Sequence, residues 1–203
     1  LDQVLTGLDS MGRLMAQKGS TVRGVNFEGP YLSPHYGFQG EKVWPIHKEE
    51  YEKIIEKGEG IIKIWSVAPE REGIEDFVKA ASAIRPVFAA AHTEATAEQL
   101  YALLPYGLKL HTHHLNATGC QGGRGKGIRN FGVDEAVQLC DEISIELIAD
   151  SMAFHVSPLY LQLAYKSKGA GRTCLITDST EFLDSEDVGP QKGDLRFGAN
   201  GDL

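Results

Sequence analysis

The sequence predicts an α/β fold built on a parallel sheet. Short apolar runs alternate with segments of helical periodicity, so that six predicted strands alternate with six predicted helices along the 203 residues. The glycine-rich stretch at 119–127 lies in the wrong context for the glycine fingerprint of a dinucleotide-binding fold. The alternation itself fits both an open, doubly wound sheet and a (β/α)8 barrel.

Apolar periodicity and turn residues predict each element in order. Buried strands are predicted from continuous apolar runs at 22–27, 61–67, 86–91, 108–112, 143–149 and 173–177. Helices are predicted from apolar residues at helical spacing at 1–17, 47–57, 73–84, 96–104, 134–141 and 157–168. Thr96 and Gln99 form a capping-box pattern, and Ser157-Pro158 is typical of a helix start. Residues 31–46 have no period and are predicted to form a long loop of the kind that often binds ligands.

The number of strands bears on the choice of fold. A barrel has eight strands and typically about 250 residues, whereas six strands are predicted here before a Gly- and Asp-rich tail that could enter another strand near 195–197. The helix at 1–17 has no strand of its own before it. If the fold is a barrel, two strands are missing, and we expect them to precede residue 1.

Composition excludes several classes of protein. The net charge of −8 argues against nucleic-acid binding, which leaves a basic footprint. The three cysteines are far apart and form no C-x-x-C, so neither a disulfide framework nor a zinc knuckle is predicted, and the free thiols fit a reducing, cytoplasmic compartment. No apolar run reaches membrane-spanning length and no signal peptide is recognised, so we expect no association with a membrane.

Four residues at predicted strand ends are candidates for chemistry: Glu28, His92, His113 and Asp178. In a barrel the carboxyl ends of the strands meet on the face that carries active sites. One carboxylate and two imidazoles make a ligand set for a catalytic divalent metal, and a further carboxylate could act as general base. Taken singly, each has an ordinary structural alternative, such as a turn residue, a helix cap or a hydrogen-bonded histidine. His111 and His114, on either side of His113, are interpreted as structural.

Five ordered motifs resemble a known family. They are N-F-E-G-P-Y-L-S-P at 26–34, A-H-T-E-A-T at 91–96, T-H-H-L-N-A at 112–117, E-L-I-A-D at 146–150 followed by His155, and I-T-D at 176–178. In order and spacing they resemble the N-acetylglucosamine-6-phosphate deacetylases of the amidohydrolase superfamily. The resemblance implies a (β/α)8 TIM-type barrel, here incomplete, over residues 1–185. It makes the tail at 186–203 a candidate start of a small β-domain.

The resemblance also implies residue roles. Glu28, His92 and His113 match the metal ligands, and Asp178 matches the catalytic carboxylate, which takes a proton from the attacking water and later gives it to the departing amine. The positions that match substrate contacts are Phe38, Gln39, Asn116, Ala117, Arg124 and His155. Of these, Arg124 matches a phosphate-binding residue that reaches in from the neighbouring subunit of a homodimer.

The sequence departs from the family pattern at several positions, and two of these departures, at 124–127 and 150–155, concern the substrate more than the chemistry. The family's apolar residue after its second metal histidine is His114 here. Its R-E-P-G is R-G-K-G at 124–127, and its D-G-[IL]-H is stretched to the segment 150–155. The family's H-x-H pair of the first strand lies before residue 1, so the number of metals stays open.

The expected function is therefore hydrolysis of the N-acetyl group of N-acetylglucosamine 6-phosphate by an enzyme that uses a divalent metal, zinc first, with iron or manganese as alternatives. The alternatives left open are another N-acyl sugar, such as N-acetylgalactosamine 6-phosphate, and a truncated remnant without catalysis. The expected partners are the sugar phosphate and a second subunit.

Overall fold

The computed structural model describes residues 1–36, 44–121, 130–150 and 153–179, and the backbone of 191–192 and 195–196. The helices in these ranges are α1 Asp2–Ala16, α2 Lys48–Gly58, α3 Ile74–Ala81, α4 Ala97–Ala102, α5 Val133–Leu139 and α6 Pro158–Lys168. The strands are β1 Val25–Glu28, β2 Ile62–Val67, β3 Val87–Ala90, β4 Leu108–His111, β5 Ser144–Ile148, β6 Thr173–Ile176, β7 Gln191–Lys192 and β8 Leu195–Arg196.

The sheet order identifies the fold class. Strands β1 to β6 pair in sequence order, and every pair is parallel. A doubly wound sheet would reverse its strand order at a switch point, and no such point occurs among the described strands. The six strands form a curled half-barrel with the helices outside it, so the prediction of an incomplete (β/α)8 barrel is confirmed. Strands β7 and β8 form a separate antiparallel pair, at the position where the tail was expected to enter a strand.

The helix boundaries follow from local chemistry. The predicted capping box opens α4: the Thr96 hydroxyl accepts a hydrogen bond from the backbone N–H of Gln99 at 3.3 Å, and the Gln99 side chain accepts one from Thr96 N–H at 2.9 Å. α4 ends at Ala102, two residues before the predicted boundary, because a 3-10 turn at Leu104–Tyr106 with a proline replaces its last turn.

The core lies between the outer face of the sheet and the helices. The ring of Phe77 on α3 is at its centre, with ring-centroid distances of 4.8 Å to both Tyr31 and Trp65 and 5.5 Å to Tyr51. Trp65 also donates a hydrogen bond from its indole N–H to the carbonyl oxygen of Gly29 at 2.9 Å. The core therefore fixes the turn that begins at Gly29, directly after the candidate metal ligand Glu28.

The opposite face of the sheet is polar. A cleft of about 540 Å³ is lined by residues of β1, β5 and β6 and of the segments that follow β4 and β6. They include Asn26, Glu28, Thr112, Glu146 and Asp178. No helix among the described residues is both long enough and apolar enough to cross a bilayer.

Replacing Phe77 by alanine should lower the free energy of unfolding by roughly 3–5 kcal/mol, because a fully buried ring that contacts four other aromatic residues leaves a cavity. Denaturant unfolding followed by circular dichroism measures this change. Phe131→Ala is the matched control, since this ring is 67% exposed, and it should cost less than about 0.5 kcal/mol. Equal losses in the two variants would contradict the assignment of the core.

Candidate metal centre and active site

Four candidate residues are carried to the same end of the sheet. Glu28 is the last residue of β1, while His92, His113 and Asp178 each follow the end of β3, β4 or β6 by two residues. All strands are parallel, so these ends lie along one edge. His92, His113 and Asp178 have left-handed backbones, with φ of 44°, 31° and 49°. Such values are uncommon for residues other than glycine and concentrate at functional sites.

Three of these side chains converge on one point. Glu28 Oε1 lies 2.5 Å from His92 Nε2 and 3.1 Å from His113 Nε2, and the two imidazole nitrogens are 3.0 Å apart. The structure thus brings together the three residues predicted as metal ligands. Their relative exposures, 35% for Glu28, 14% for His92 and 2% for His113, leave the carboxylate nearest to solvent.

The donor set fits a divalent metal ion. Each residue offers one ligand atom, and these atoms all lie within 4.8 Å of one another. His113 Nδ1 faces the carbonyl oxygen of Asn116 at 3.2 Å, and this oxygen can only accept a hydrogen bond. The proton of a neutral His113 is therefore held on Nδ1, and the Nε2 lone pair is directed at the cluster. Two imidazoles and one carboxylate are the ligand set of many catalytic zinc sites.

Glu28 and His113 each stabilise the charged form of the other, as the directions of their pKa shifts indicate. Hydrogen bonds from His113 and His92 hold the pKa of the Glu28 carboxyl well below its ordinary range, although burial acts in the opposite direction. Burial alone would lower the pKa of His113, but its hydrogen bond to Glu28 and the charges of Glu28 and Asp178 raise the pKa overall. The cluster is thus arranged to stabilise positive charge next to the Glu28 carboxylate.

Asp178 and Glu146 face the same cleft as Glu28. Glu146 was included in a sequence motif but given no role. Its side chain is buried on β5, its Oε2 has no hydrogen-bond partner among the described residues, and burial raises its pKa. The signal that could have found it is a single glutamate within an otherwise apolar strand, at a position that faces the inside of the sheet.

Glu70 is a second residue that sequence reasoning missed. It lies just after β2, and its carboxylate accepts hydrogen bonds from the Thr93 hydroxyl at 2.5 Å and from the backbone N–H of Glu94 at 2.9 Å. These bonds fix the turn that directly follows His92. Glu70 follows the predicted strand at 61–67 by three residues, so its position after a strand end marks it in the same way as Glu28.

The predicted substrate contacts lie in several parts of the chain, and only some of them are among the described residues. Asn116 and Ala117 lie in the turn after His113, where Ala117 has φ of 50° and the Asn116 carbonyl orients His113. His155 lies beyond β5, and its ring Nδ1 is 3.2 Å from Asp150 Oδ2. Three further predicted contacts, Phe38, Gln39 and Arg124, lie outside the described residues.

The two histidines beside His113 form a separate, buried cluster. His111 Nδ1 lies 2.8 Å from His114 Nδ1, which in turn lies 3.3 Å from Asp134 Oδ1. Burial lowers the pKa of both His111 and His114 to about 3. Both imidazoles are therefore neutral near pH 7. Asp134 also accepts hydrogen bonds from Leu115 N–H at 3.2 Å and from the Thr118 hydroxyl at 2.6 Å, so it fastens the turn after His113 to α5.

Comparison with known proteins finds relatives in sequence and in fold. The chain is 29% identical to N-acetylglucosamine-6-phosphate deacetylase of Bacillus subtilis over 163 residues, which are 79% of the chain and 39% of the relative. The crystal structure of N-acetyl-D-glucosamine-6-phosphate deacetylase from Mycobacterium smegmatis matches with a TM-score of 0.80 at 26% identity, over 94% of this chain and 48% of that one. In sequence and in fold, the chain is similar to N-acetylglucosamine-6-phosphate deacetylases.

A second structure of the mycobacterial deacetylase matches over 96% of this chain and 49% of that one, with a TM-score of 0.81 at 26% identity. It is a variant with one aspartate replaced by alanine, in complex with N-acetyl-D-glucosamine-6-phosphate. The chain therefore spans about half the length of the deacetylase structures and two fifths of the curated relative that it matches.

One comparison points elsewhere. A family model described as the N-terminal part of the terminase large subunit, T4-like-virus type, matches residues 53–157. These residues do not form a unit of their own, because the match begins inside α2 and covers β2 to β5, which are paired with β1 and β6 in one sheet. The deacetylase structures match 94–96% of the chain, so the fold is the one that these structures share.

Acidification should destabilise the fold through His111 and His114. Below pH ~6.5 the unfolded chain binds protons on both histidines, whereas the folded chain takes them up only near pH 3. The free energy of unfolding should therefore fall as the pH falls through this window, by up to roughly 1 kcal/mol per histidine and pH unit.

The measurement is denaturant unfolding at pH 7, 6 and 5 with a chelator present. The control is His114→Leu, which introduces the apolar side chain of the family pattern and removes one of the two titrating groups. Its free energy of unfolding should depend less steeply on pH. A slope equal to that of the wild type would contradict the prediction.

Proposed function

We propose that this chain carries the metal site of a deacetylase that hydrolyses N-acetylglucosamine 6-phosphate to glucosamine 6-phosphate and acetate. The observation that carries the proposal is the convergence of Glu28, His92 and His113 on one point, with Asp178 facing the same cleft. The relatives named above support the choice of substrate, since they are deacetylases of this compound and one of them holds it in a complex.

Glu28, His92 and His113 would hold a divalent metal ion. Zinc fits two imidazoles and one carboxylate best, and iron or manganese are alternatives. A bound divalent ion lowers the pKa of water and polarises a carbonyl group. The chain's own contribution is to keep the three ligand atoms together and to direct the His113 lone pair, through the Asn116 carbonyl, toward the cluster.

Asp178 would be the proton carrier. Hydrolysis of the amide forms a bond between the acetyl carbon and the water oxygen and breaks the carbon–nitrogen bond. The water loses a proton and the departing amine gains one, so a single carboxylate that accepts and then donates a proton serves both steps. The left-handed backbone of Asp178 directly after β6 is consistent with a side chain that the fold aims into the cleft.

The sugar contacts remain predictions. In this proposal Asn116, Ala117 and His155 bind the amino sugar together with Phe38 and Gln39. Arg124 binds the phosphate across the interface of a homodimer. We place the enzyme in the cytoplasm, where its free cysteines would stay reduced. We also keep the division into a partial barrel at 1–185 and the start of a small β-domain at 186–203.

A different amino sugar is the second candidate. The segment from Asp150 to His155 is longer than the family pattern, and Asp150 accepts hydrogen bonds from the backbone N–H groups of Phe154 and His155 at 2.9 and 3.2 Å. His155 is therefore bound to Asp150, at the end of a segment that is longer than the family's sequence pattern. This difference favours testing N-acetylgalactosamine 6-phosphate beside the glucosamine compound.

Replacing Asp178 by asparagine should lower kcat at least about a hundredfold, because an amide cannot carry the proton, and should leave the metal content unchanged. Acetate release and elemental analysis on the full-length protein measure the two properties. The control is Asp76→Asn on the exposed face of α3, which should keep full activity. Normal turnover in Asp178→Asn would remove this residue from the mechanism.

Removal of the metal should abolish acetate release, and added zinc should restore it. The assay uses a panel of N-acetylhexosamines and their 6-phosphates, so that it also separates the two substrate candidates. A full-length protein that holds a divalent ion and yet releases no acetate from any member of the panel would refute the deacetylase proposal and favour a protein without this activity.

A further inference from the structure

We propose that His111, His114 and Asp134 form a second binding site for a divalent cation of the Zn²⁺ class, separate from the cluster of Glu28, His92 and His113. The proposal does not depend on the deacetylase function. It assigns a role to two histidines that the sequence alone marks as structural and that the proposed mechanism does not use.

The proposed site lies on the outer face of the sheet, between β4 and α5. Thr112 lines the cleft, so the side chain of its neighbour His111, the last residue of β4, points to the opposite face, toward the helices. Asp134 and Gln138 are four residues apart on α5 and share the helix face that meets it. Asp134 keeps about 20% of its side chain exposed, which gives an ion a path from solvent.

The geometry repeats that of the first cluster. His92 and His113 have ring centroids 4.6 Å apart at an interplanar angle of 79°, with their closest nitrogens 3.0 Å apart. His111 and His114 have centroids 4.9 Å apart at 73°, with their closest nitrogens 2.8 Å apart. In each pair a carboxylate oxygen lies near an imidazole nitrogen, and all three ligand atoms lie within 4.8 Å of one another.

The cluster of His111, His114 and Asp134 has more hydrogen-bond acceptors than protons, which favours a cation between them. The Gln138 side-chain N–H group faces His114 Nε2 at 3.2 Å, so the proton of a neutral His114 is on Nδ1. This one proton faces two acceptors, His111 Nδ1 and Asp134 Oδ1. A divalent ion in its place would bind the lone pairs of all three atoms at once.

The surroundings can accommodate the ion. When an ion takes His114 Nδ1, the proton moves to Nε2, and the Gln138 amide can turn to present its oxygen as acceptor. The charge of Lys168 opposes a cation here, and the Asp134 carboxylate offsets it. The Lys168 ammonium is itself bound to the carbonyl oxygens of Cys140 and Ile143.

An ion at this site would join β4, the turn after His113 and α5. Its direct effect would be to stabilise the turn that carries the first cluster's most buried ligand. Two imidazoles and a carboxylate favour Zn²⁺ or Co²⁺ over Mg²⁺ or Ca²⁺, which prefer ligand sets made of oxygen alone.

The test is the number of zinc ions bound per chain after metal removal and reloading, with Co²⁺ absorption as a second probe. The His114→Leu variant should lose one equivalent of zinc relative to the wild type, together with part of the cobalt spectrum. The combined substitution of Glu28→Gln and His92→Ala should keep that equivalent and lose the other. Asp76→Asn is the control, since this carboxylate is exposed on α3 and is not a ligand, and this variant should bind as much zinc as the wild type.

Unchanged zinc content in His114→Leu would overturn the proposal. If circular dichroism shows that this variant does not fold, Asp134→Asn decides instead. At least tenfold weaker zinc binding by the site that survives Glu28→Gln/His92→Ala supports the proposal, and unchanged binding overturns it.

Discussion

The shared direction of the strands is the constraint on which the rest of this molecule depends. Because β1 to β6 are all parallel and pair in sequence order, each strand delivers the residue after its carboxyl end to the same rim. Residues that are 64 and 85 positions apart in the chain, His92 and His113 relative to Glu28, thereby come within hydrogen-bond distance. The outer face of the same sheet is packed against the helices, so its inner face is free to carry polar side chains.

His92 and His113 have left-handed backbones at the ends of their strands, and carboxylates fix the turns that follow them. Left-handed turns at His92 and His113 aim each side chain back over the sheet end, a conformation that side chains with a Cβ adopt only where the surroundings enforce it. Glu70 holds the turn after His92, and Asp134 holds the turn after His113. Glu70 and Asp134 lie outside the cluster of Glu28, His92 and His113. They nevertheless fix the turns that follow two of its three ligands.

Much of the fold could be read from local chemistry. A capping box needs only Thr96 and Gln99, and its geometry is as expected. Strand ends were less accurate at the edge of the sheet. The first strand, predicted at 22–27, is Val25–Glu28, because β1 pairs with β2 alone among the described strands and has a register shift between Val25 and Asn26.

The candidate site was also predictable only in part. Glu28, His92 and His113 could be predicted because a strand end is visible in sequence. The contact between His111 and His114 could not be predicted, because a spacing of three along a strand places side chains on opposite faces. Its closure by Asp134 could not be predicted either, since that contact requires α5 to pack over the end of β4. The backbone turns that aim the ligands also have no signal in the sequence, because these positions carry histidine and aspartate where glycine would be expected.

The separation of the ligands along the chain has a consequence for stability. An ion bound to both Glu28 and His113 connects residues 85 positions apart. It thus acts as a reversible crosslink that removes loop entropy from the unfolded chain. The same two residues bracket β2, β3 and the helices between them. Loading with metal would therefore tighten most of the half-barrel as one cooperative unit, and chelation would loosen it without breaking a covalent bond.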